Sequence, residues 1–177
     1  MRNLLPPVAI VAALALPGAA TAGGCDAPLA AAKKLDTVPY KMHSVTLAVG
    51  GDAADADPEV ADMIATNDKL YFEVDGAWQA VPRDMSGLGD LDDDVASGDV
   101  TCRQLADAEV NGVPTVVYAI DDKAQPDVTE QTVWIGKDSG LMMRAQSVMD
   151  EGDGDGGKSQ TTMDFAFDDV KAPEGVE

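Results

Sequence analysis

Few residues in this sequence could carry out catalysis or bind a metal ion. The sequence holds one histidine, His43, and two cysteines, Cys25 and Cys102. A structural zinc site takes four ligands, so this set is too small once the cysteines pair with each other. The sequence also has no nucleophile elbow and no glycine-rich phosphate loop before a helix. We therefore expect a protein that is not an enzyme and holds no cofactor or metal, with His43 as an ordinary strand residue.

Two acidic loops make calcium the one metal to consider. Their acidic residues are Asp90, Asp92, Asp93 and Asp94 in the first loop, and Asp150, Asp153 and Asp155 in the second. An EF-hand loop needs glycine at its sixth position and glutamate at its twelfth. Counted from Asp90, these positions hold Val95 and Thr101, and counted from Asp153 the sixth position holds Lys158. Neither loop fits, so we interpret both as solvated turns.

The two cysteines have two possible roles. In an oxidising compartment Cys25 and Cys102 are expected to form a disulfide. A bridge across so long a loop would contribute about 4 kcal/mol on chain-entropy grounds. Alternatively, Cys25 is a lipid-modified N-terminus, although the preceding Ala22-Gly23-Gly24 lacks the usual leucine three residues before the cysteine. The disulfide is the favoured reading, and the lipid anchor remains the alternative.

The first 22 residues have the pattern of a secretory signal peptide. Arg2 supplies the positive charge, Leu4–Leu16 is mostly apolar, and Ala20-Thr21-Ala22 is a typical cleavage site. The apolar run is too short to span a bilayer, so we expect no integral membrane segment after cleavage. We predict a periplasmic protein with one domain, residues 23–173, and a loose tail, residues 174–177.

The charge of the chain limits its partners. The net charge is −20 at pH 7. Nucleic acid and anionic lipid headgroups are poor partners for such a chain, because like charges repel. The sequence does not indicate the oligomeric state.

The elements that must position any site are mainly strands. Val100–Val110 leads into Asn111-Gly112, and Pro114–Ile120 returns; Asn-Gly is a strong hairpin pattern because both residues tolerate the positive φ of a type I′ turn. A second hairpin joins Thr132–Gly136 to Leu141–Met149. Further strands are predicted at Val38–Val49, Glu59–Thr66, Lys69–Val74, Ala77–Val81 and Ser159–Phe167.

Two segments break the strand pattern. Ala27–Leu35 is predicted to be a helix capped by Asp26, with a narrow apolar stripe that can lie on a sheet. Pro82–Gly98 is a long loop in which Leu88, Leu91 and Val95 could form one short helical turn. The sum is a mainly β (α+β) fold: a curled antiparallel sheet of about eight or more strands, open or half-closed, with the N-terminal helix against its concave side.

Several motifs resemble those of the LolA/LolB-like lipoprotein-carrier superfamily. They are an aromatic-containing strand at Val117–Ile120, the strand and Lys-x-x-Gly-Leu turn of Val133–Arg144, and a closing strand that ends in Asp-Val within Phe165–Pro173. The hairpin with Lys69–Phe72, Asp75-Gly76 and Trp78 is similar as well. The resemblance implies a half-barrel with helices in its concavity that holds acyl chains.

From the resemblance and the strand alternation we expect a non-enzymatic binding or carrier protein for a hydrophobic ligand, an acyl chain or a lipoprotein. The apolar lining is predicted to include Leu70, Phe72, Met143, Met163, Phe165 and Phe167, with Pro82–Gly98 as the lid. Arg144 is expected on the face opposite Met143. The alternative is a structural or interaction module of the cell envelope, similar to the periplasmic sensor RseB, whose helix fills the cleft.

Overall fold

The computed structural model describes residues 24–49, 57–74, 76–83, 91–151 and 157–176. The predicted signal peptide lies outside these residues. So do Leu88 and Asp90 of the long loop, and Asp153 and Asp155 of the second acidic loop.

The described part of the chain forms one curled antiparallel sheet of ten strands. The strands are β1 (Tyr40–Val49), β2 (Glu59–Ala65), β3 (Lys69–Val74), β4 (Ala77–Pro82), β5 (Val100–Gln104), β6 (Ala108–Val110), β7 (Val113–Asp122), β8 (Val128–Gly136), β9 (Met142–Asp150) and β10 (Lys158–Ala166). Their order in the sheet is β4-β3-β2-β1-β10-β9-β8-β7-β5, and β6 pairs with β7 beyond the end of β5. The predicted fold class is confirmed.

Most strands that are neighbours in the sheet are also neighbours in sequence, but the two strands at its centre are not. There β1 pairs with β10, the last strand, with Met42 opposite Phe165 and Ser44 opposite Met163. One arm of hairpins therefore runs outward from β1 to β4, and the other from β10 to β7. The central pair brings the two ends of the domain together.

The Asn-Gly hairpin forms as predicted, but the strand before it is interrupted. Asn111 and Gly112 have φ angles of 51° and 82°, as a type I′ turn requires. Val100–Val110 was predicted to be one strand, which is wrong: it forms β5 and β6. Between the pairs Gln104–Tyr118 and Ala108–Thr115 this segment advances one residue more than β7 does. The extra residue breaks the ladder as a bulge does.

Two helices lie within the described residues. The first, α1 (Asp26–Thr37), was predicted to be capped by the side chain of Asp26, and this is wrong: the cap position is Cys25, with no side-chain cap. The Asp26 carboxylate lies in the first turn, where the helix dipole favours a negative charge. The second helix, α2 (Leu91–Ser97), matches the short helical turn expected in the long loop.

The core lies between α1 and the sheet. Its buried cluster comprises Ala31, Tyr40, Ala65, Tyr118, Val133, Ile135, Met142, Ala145 and Phe165. A disulfide between Cys25 and Cys102, with an S–S distance of 2.05 Å, joins the start of α1 to β5. The predicted disulfide is thus confirmed, and the Cys25 sulfur is not free for the thioether of a lipid anchor.

Candidate functional site

Strand register divides the side chains between two faces of the sheet. Ala145 lies opposite both Val133 and Met163, and Met42 lies opposite Phe165, so these side chains share one face. This face is the one that α1 covers, because Ala31 of the helix packs in the same buried cluster as Val133 and Phe165. We call it the helix face, and the other side of the sheet the open face.

A cleft remains between α1 and the helix face. Its volume is about 430 Å³, within the range of roughly 300–1,000 Å³ that is typical of small-molecule sites. Most of its wall is apolar. The apolar lining consists of Pro28, Leu29, Ala32 and Leu35 from α1, Val95 from α2, and Met42, Val100, Ile120, Val133, Met142, Ala145, Met163 and Phe165 from the strands.

Three attachments hold α1 over the sheet. The disulfide fixes its N-terminal end, and Lys34 Nζ donates a hydrogen bond to the Ser139 carbonyl at 2.7 Å. At the C-terminal end the Arg83 guanidinium donates to the carbonyls of Leu35 and Val38, the latter at 2.8 Å. Arg83 is only 9% exposed. These contacts fix the distance between helix and sheet, and with it the width of the cleft.

The two ends of the cleft are polar. Asp36 and Tyr40 lie at the C-terminal end of α1, where burial raises the pKa of the Tyr40 phenol against the opposing effect of Arg83. The other end holds Asp122, Gln125 and Gln131. There the Asp122 carboxylate accepts hydrogen bonds from the Ala124 amide at 2.9 Å and from Gln125 Nε2 at 2.6 Å. The cleft is therefore apolar along most of its lining, with polar groups near both ends of α1.

The predicted lining residues fall into three groups. Met163 and Phe165 line the cleft. Leu70, Phe72 and Phe167 are on the helix face or beside it but outside the cleft lining. The register places Leu70 opposite Ala65 and Phe72 opposite Met63, and the Phe167 ring centroid is 6.4 Å from that of Tyr40.

Met143 forms the third group, at a bulge. Trp134 pairs with Arg144 and Ile135 pairs with Met142, which leaves Met143 without a direct partner on β8. As a result Met142, and not Met143, lines the cleft. Sequence reasoning missed Met142, and it also missed Met42 and Val133. Met42 and Val133 could have been found from the alternation in their strands, whereas the bulge depends on the neighbouring strand.

The open face carries charge pairs instead of an apolar channel. Arg144 Nε and one terminal nitrogen donate to the two carboxylate oxygens of Asp164 at 2.7 and 2.9 Å, and this pairing raises the pKa of Arg144. One strand further, His43 Nδ1 lies 2.8 Å from the Asp62 carboxylate. Asp62, His43, Asp164 and Arg144 form one cross-strand row. Arg144 is thus neutralised on the side away from the cleft, as expected for its face.

Within the described residues, no three or more histidine, cysteine, aspartate or glutamate side chains are arranged to bind a metal ion. None of the helices in that part of the chain is long and apolar enough to cross a membrane.

No family model and no curated protein matches the sequence. Similar folds are found among solved structures. The lipoprotein LppX of Mycobacterium tuberculosis is 15% identical, with 78% of this chain and 94% of LppX covered and a TM-score of 0.39. LprF of Mycobacterium bovis is 16% identical, with coverage of 82% and 94% and a TM-score of 0.38.

MucB, solved in complex with MucA(peri), is a third similar structure. It is 16% identical with a TM-score of 0.44, and 82% of this chain matches 57% of MucB, so the chain spans little more than half of that protein. These three structures resemble the chain in fold, and membership of the LolA/LolB-like superfamily stays a prediction. At these identities and TM-scores the likeness says nothing about a ligand.

Proposed function

We propose that the protein is an exported, non-enzymatic binding or carrier protein that holds the acyl chain of a hydrophobic ligand between α1 and the sheet. The observation that carries this proposal is the apolar cleft of about 430 Å³ that the helix leaves open. The disulfide supports export, because such bonds persist in oxidising compartments such as the periplasm.

The extent of the cleft suits a ligand that lies along α1. Its lining includes helix residues from Cys25 to Asp36, a length of about 16 Å at the rise of an α-helix. An acyl chain in this cleft would lose contact with water on the sides that face α1 and the sheet. Each buried methylene contributes about 0.8 kcal/mol, so a chain of ten or more carbons gives useful affinity even after the cost of ordering it.

A pair of helix substitutions tests the proposal. Ala32 lines the cleft, whereas Ala30, on the same helix, is exposed to solvent. Ala32→Phe should fill the cleft and weaken binding of a pyrene-labelled monoacylglycerol at least about tenfold, a loss of roughly 1.4 kcal/mol. The matched control Ala30→Phe should bind like the wild type. Native mass spectrometry of protein purified without detergent should also show bound lipid.

Two results would contradict the proposal. One is a wild-type protein that is always empty in native mass spectra and has no affinity for the labelled lipid. The other is equal binding by Ala32→Phe and Ala30→Phe, because the lipid would then be bound outside the cleft.

A second candidate function is an interaction module whose helix serves only to fill the concavity. It is favoured by exposed apolar side chains on the open face, where Leu47, Val49 and Val60 are 40%, 43% and 54% exposed. Their register places them on the side away from α1. If hydrophobic-dye binding is lost in Leu47→Ser and unchanged in Ala32→Phe, this second function replaces the first.

A further inference from the structure

We propose that the ligand carries a headgroup that donates hydrogen bonds and has no negative charge, and that this headgroup binds at the cleft end formed by Asp122, Gln125 and Gln131. The inference rests on the proposed function, since it concerns the polar part of the same ligand. It separates two kinds of amphiphile: glycerol- or amine-headed lipids would bind, and free fatty acids or phospholipid-like anions would be rejected.

The composition of the lining is the first support. Asp36 and Asp122 are the charged residues of the cleft wall, and no lysine, arginine or histidine is among the lining residues in the described part of the chain. An anionic headgroup held there would lose part of its hydration without gaining a cation and would face a carboxylate of like charge. Both effects disfavour the complex.

The unused hydrogen-bonding capacity of the Asp122 carboxylate is the second support. One of its oxygens accepts the Ala124 amide and the other accepts Gln125 Nε2. An ionised carboxylate has about four acceptor positions, so each oxygen can take one more donor. Hydroxyl or ammonium hydrogens are the groups that would use this remaining capacity.

Basic side chains near this end are directed elsewhere. Lys123 follows Asp122 in sequence, but its Nζ donates to the Gly98 carbonyl at 2.8 Å and lies 3.8 Å from the Asp99 carboxylate. Arg103 follows Cys102, and its position in the register places it on the open face. Neither Lys123 nor Arg103 is therefore placed to neutralise an anionic headgroup in the cleft.

The positive end of the helix dipole is also near this end of the cleft. It could attract an anion, but Asp26 already places a carboxylate in the first turn. The net charge of the chain, −20, adds long-range repulsion of anionic amphiphiles. The carboxylates near the cleft and the net charge of the chain therefore both favour a ligand without negative charge.

A series of four probes with the same hexadecyl-length chain tests the inference. The probes are monopalmitoylglycerol, hexadecylammonium, palmitate and hexadecyl phosphate, each below its micelle concentration, in competition with the pyrene-labelled monoacylglycerol at neutral pH and physiological ionic strength. We expect the glycerol or ammonium probe to bind at least about tenfold more tightly than either anion. Comparison of those two probes shows whether hydroxyls or an ammonium group supply the donors.

Two adjacent aspartates provide the matched variants. Asp122 lines the cleft, whereas Asp121 is exposed on the open face. Asp122→Asn keeps an oxygen for the Ala124 amide but removes the charge. It should therefore reduce the ratio of the affinity for hexadecylammonium to the affinity for palmitate by at least about tenfold. Asp121→Asn should leave that ratio unchanged.

The failures of the two proposals are distinguishable. If no probe binds, the proposed function fails and this inference fails with it. If all four probes bind equally, or the anions bind more tightly, the acyl-binding function stands and the headgroup inference is overturned. Equal effects of Asp121→Asn and Asp122→Asn would also overturn it, because the preference would then come from net charge and not from this site.

Discussion

The two faces of the sheet are built from the same strands and differ most at its centre, in packing and in charge. On the helix face, Met42, Val133 and Phe165 pack beneath α1 and line the cleft. On the open face, Arg144 and Asp164 form a charge pair, and His43 contacts the Asp62 carboxylate. A strand exposes alternate residues to alternate sides, so the same strands can line an apolar cleft on one side and carry charged side chains on the other.

The difference also shows how each face is stabilised. The helix face depends on burial, on the disulfide and on contacts that hold α1 in place. The open face holds some buried side chains, such as Tyr71 and Val117 at 5% exposure each, but its exposed cross-strand pairs are individually weak because water competes for them. Substitutions of buried residues on the helix face should therefore cost much more stability than those at exposed positions of the open face, and they alone should affect ligand binding.

The largest effect is expected from removal of the disulfide. Cys25 and Cys102 are separated by 77 positions, and closing so long a loop contributes about 4 kcal/mol on chain-entropy grounds. Cys25→Ser combined with Cys102→Ser should lower the free energy of unfolding by about that amount in urea titrations. Wild-type protein in reductant should show a similar loss. A double variant as stable as the oxidised wild type would contradict this account.

Shortening a core side chain should have the next largest effect. Ile135 is 5% exposed in the core, whereas Leu47 on the open face is 40% exposed. Ile135→Ala should cost about 2–4 kcal/mol because it leaves a cavity. Leu47→Ala should cost less than about 1 kcal/mol, since little buried area is lost. Equal losses in chemical denaturation would show that the open face is covered in solution.

A smaller effect is expected from the charge pair of the open face. Arg144 and Asp164 side chains are 32% and 29% exposed and are joined by two hydrogen bonds. Arg144→Ala should cost about 1 kcal/mol, and less in high salt. Lipid affinity should be unchanged, because Arg144 lies away from the cleft. A loss of lipid binding in Arg144→Ala would mean that the open face takes part in the site.

The smallest effect concerns Tyr40 at high pH. Burial raises its pKa in the folded protein above the ordinary value of 10.0. The neutral phenol is therefore favoured by folding. The associated stability is fully present below about pH 10 and is lost as the pH rises through the folded-state pKa. Wild type should lose more stability than Tyr40→Phe as the pH is raised from about 9 to 11. Parallel losses would contradict the burial of the hydroxyl.

Local sequence pattern was enough for the fold class, the Asn-Gly hairpin, the short helix α2 and the pairing of Cys25 with Cys102. It did not show that β1 and β10 meet at the centre of the sheet, because pairing between distant strands leaves no local trace. It also could not show the bulge that puts Met142 in the cleft in place of Met143, since a bulge is defined only against the facing strand.

The site was predicted less fully than the fold for a related reason. Met163 and Phe165 were recognised because their strand alternates cleanly. Asp122 and Gln131 were not, because polar residues join the lining of a cleft only when the fold brings them together there. Leu70 and Phe72 lie on the predicted face but on the arm of the sheet that the cleft does not reach.

The most direct test of the central claim, that an acyl chain lies between α1 and the helix face, is photocrosslinking. A monoacylglycerol whose palmitoyl chain carries a diazirine would be bound, irradiated and mapped by mass spectrometry of the digested protein. The structure predicts crosslinks to cleft residues such as Leu29 and Met163, and their loss in Ala32→Phe. Crosslinks concentrated at Leu47, Val49 and Val60 instead would contradict the claim.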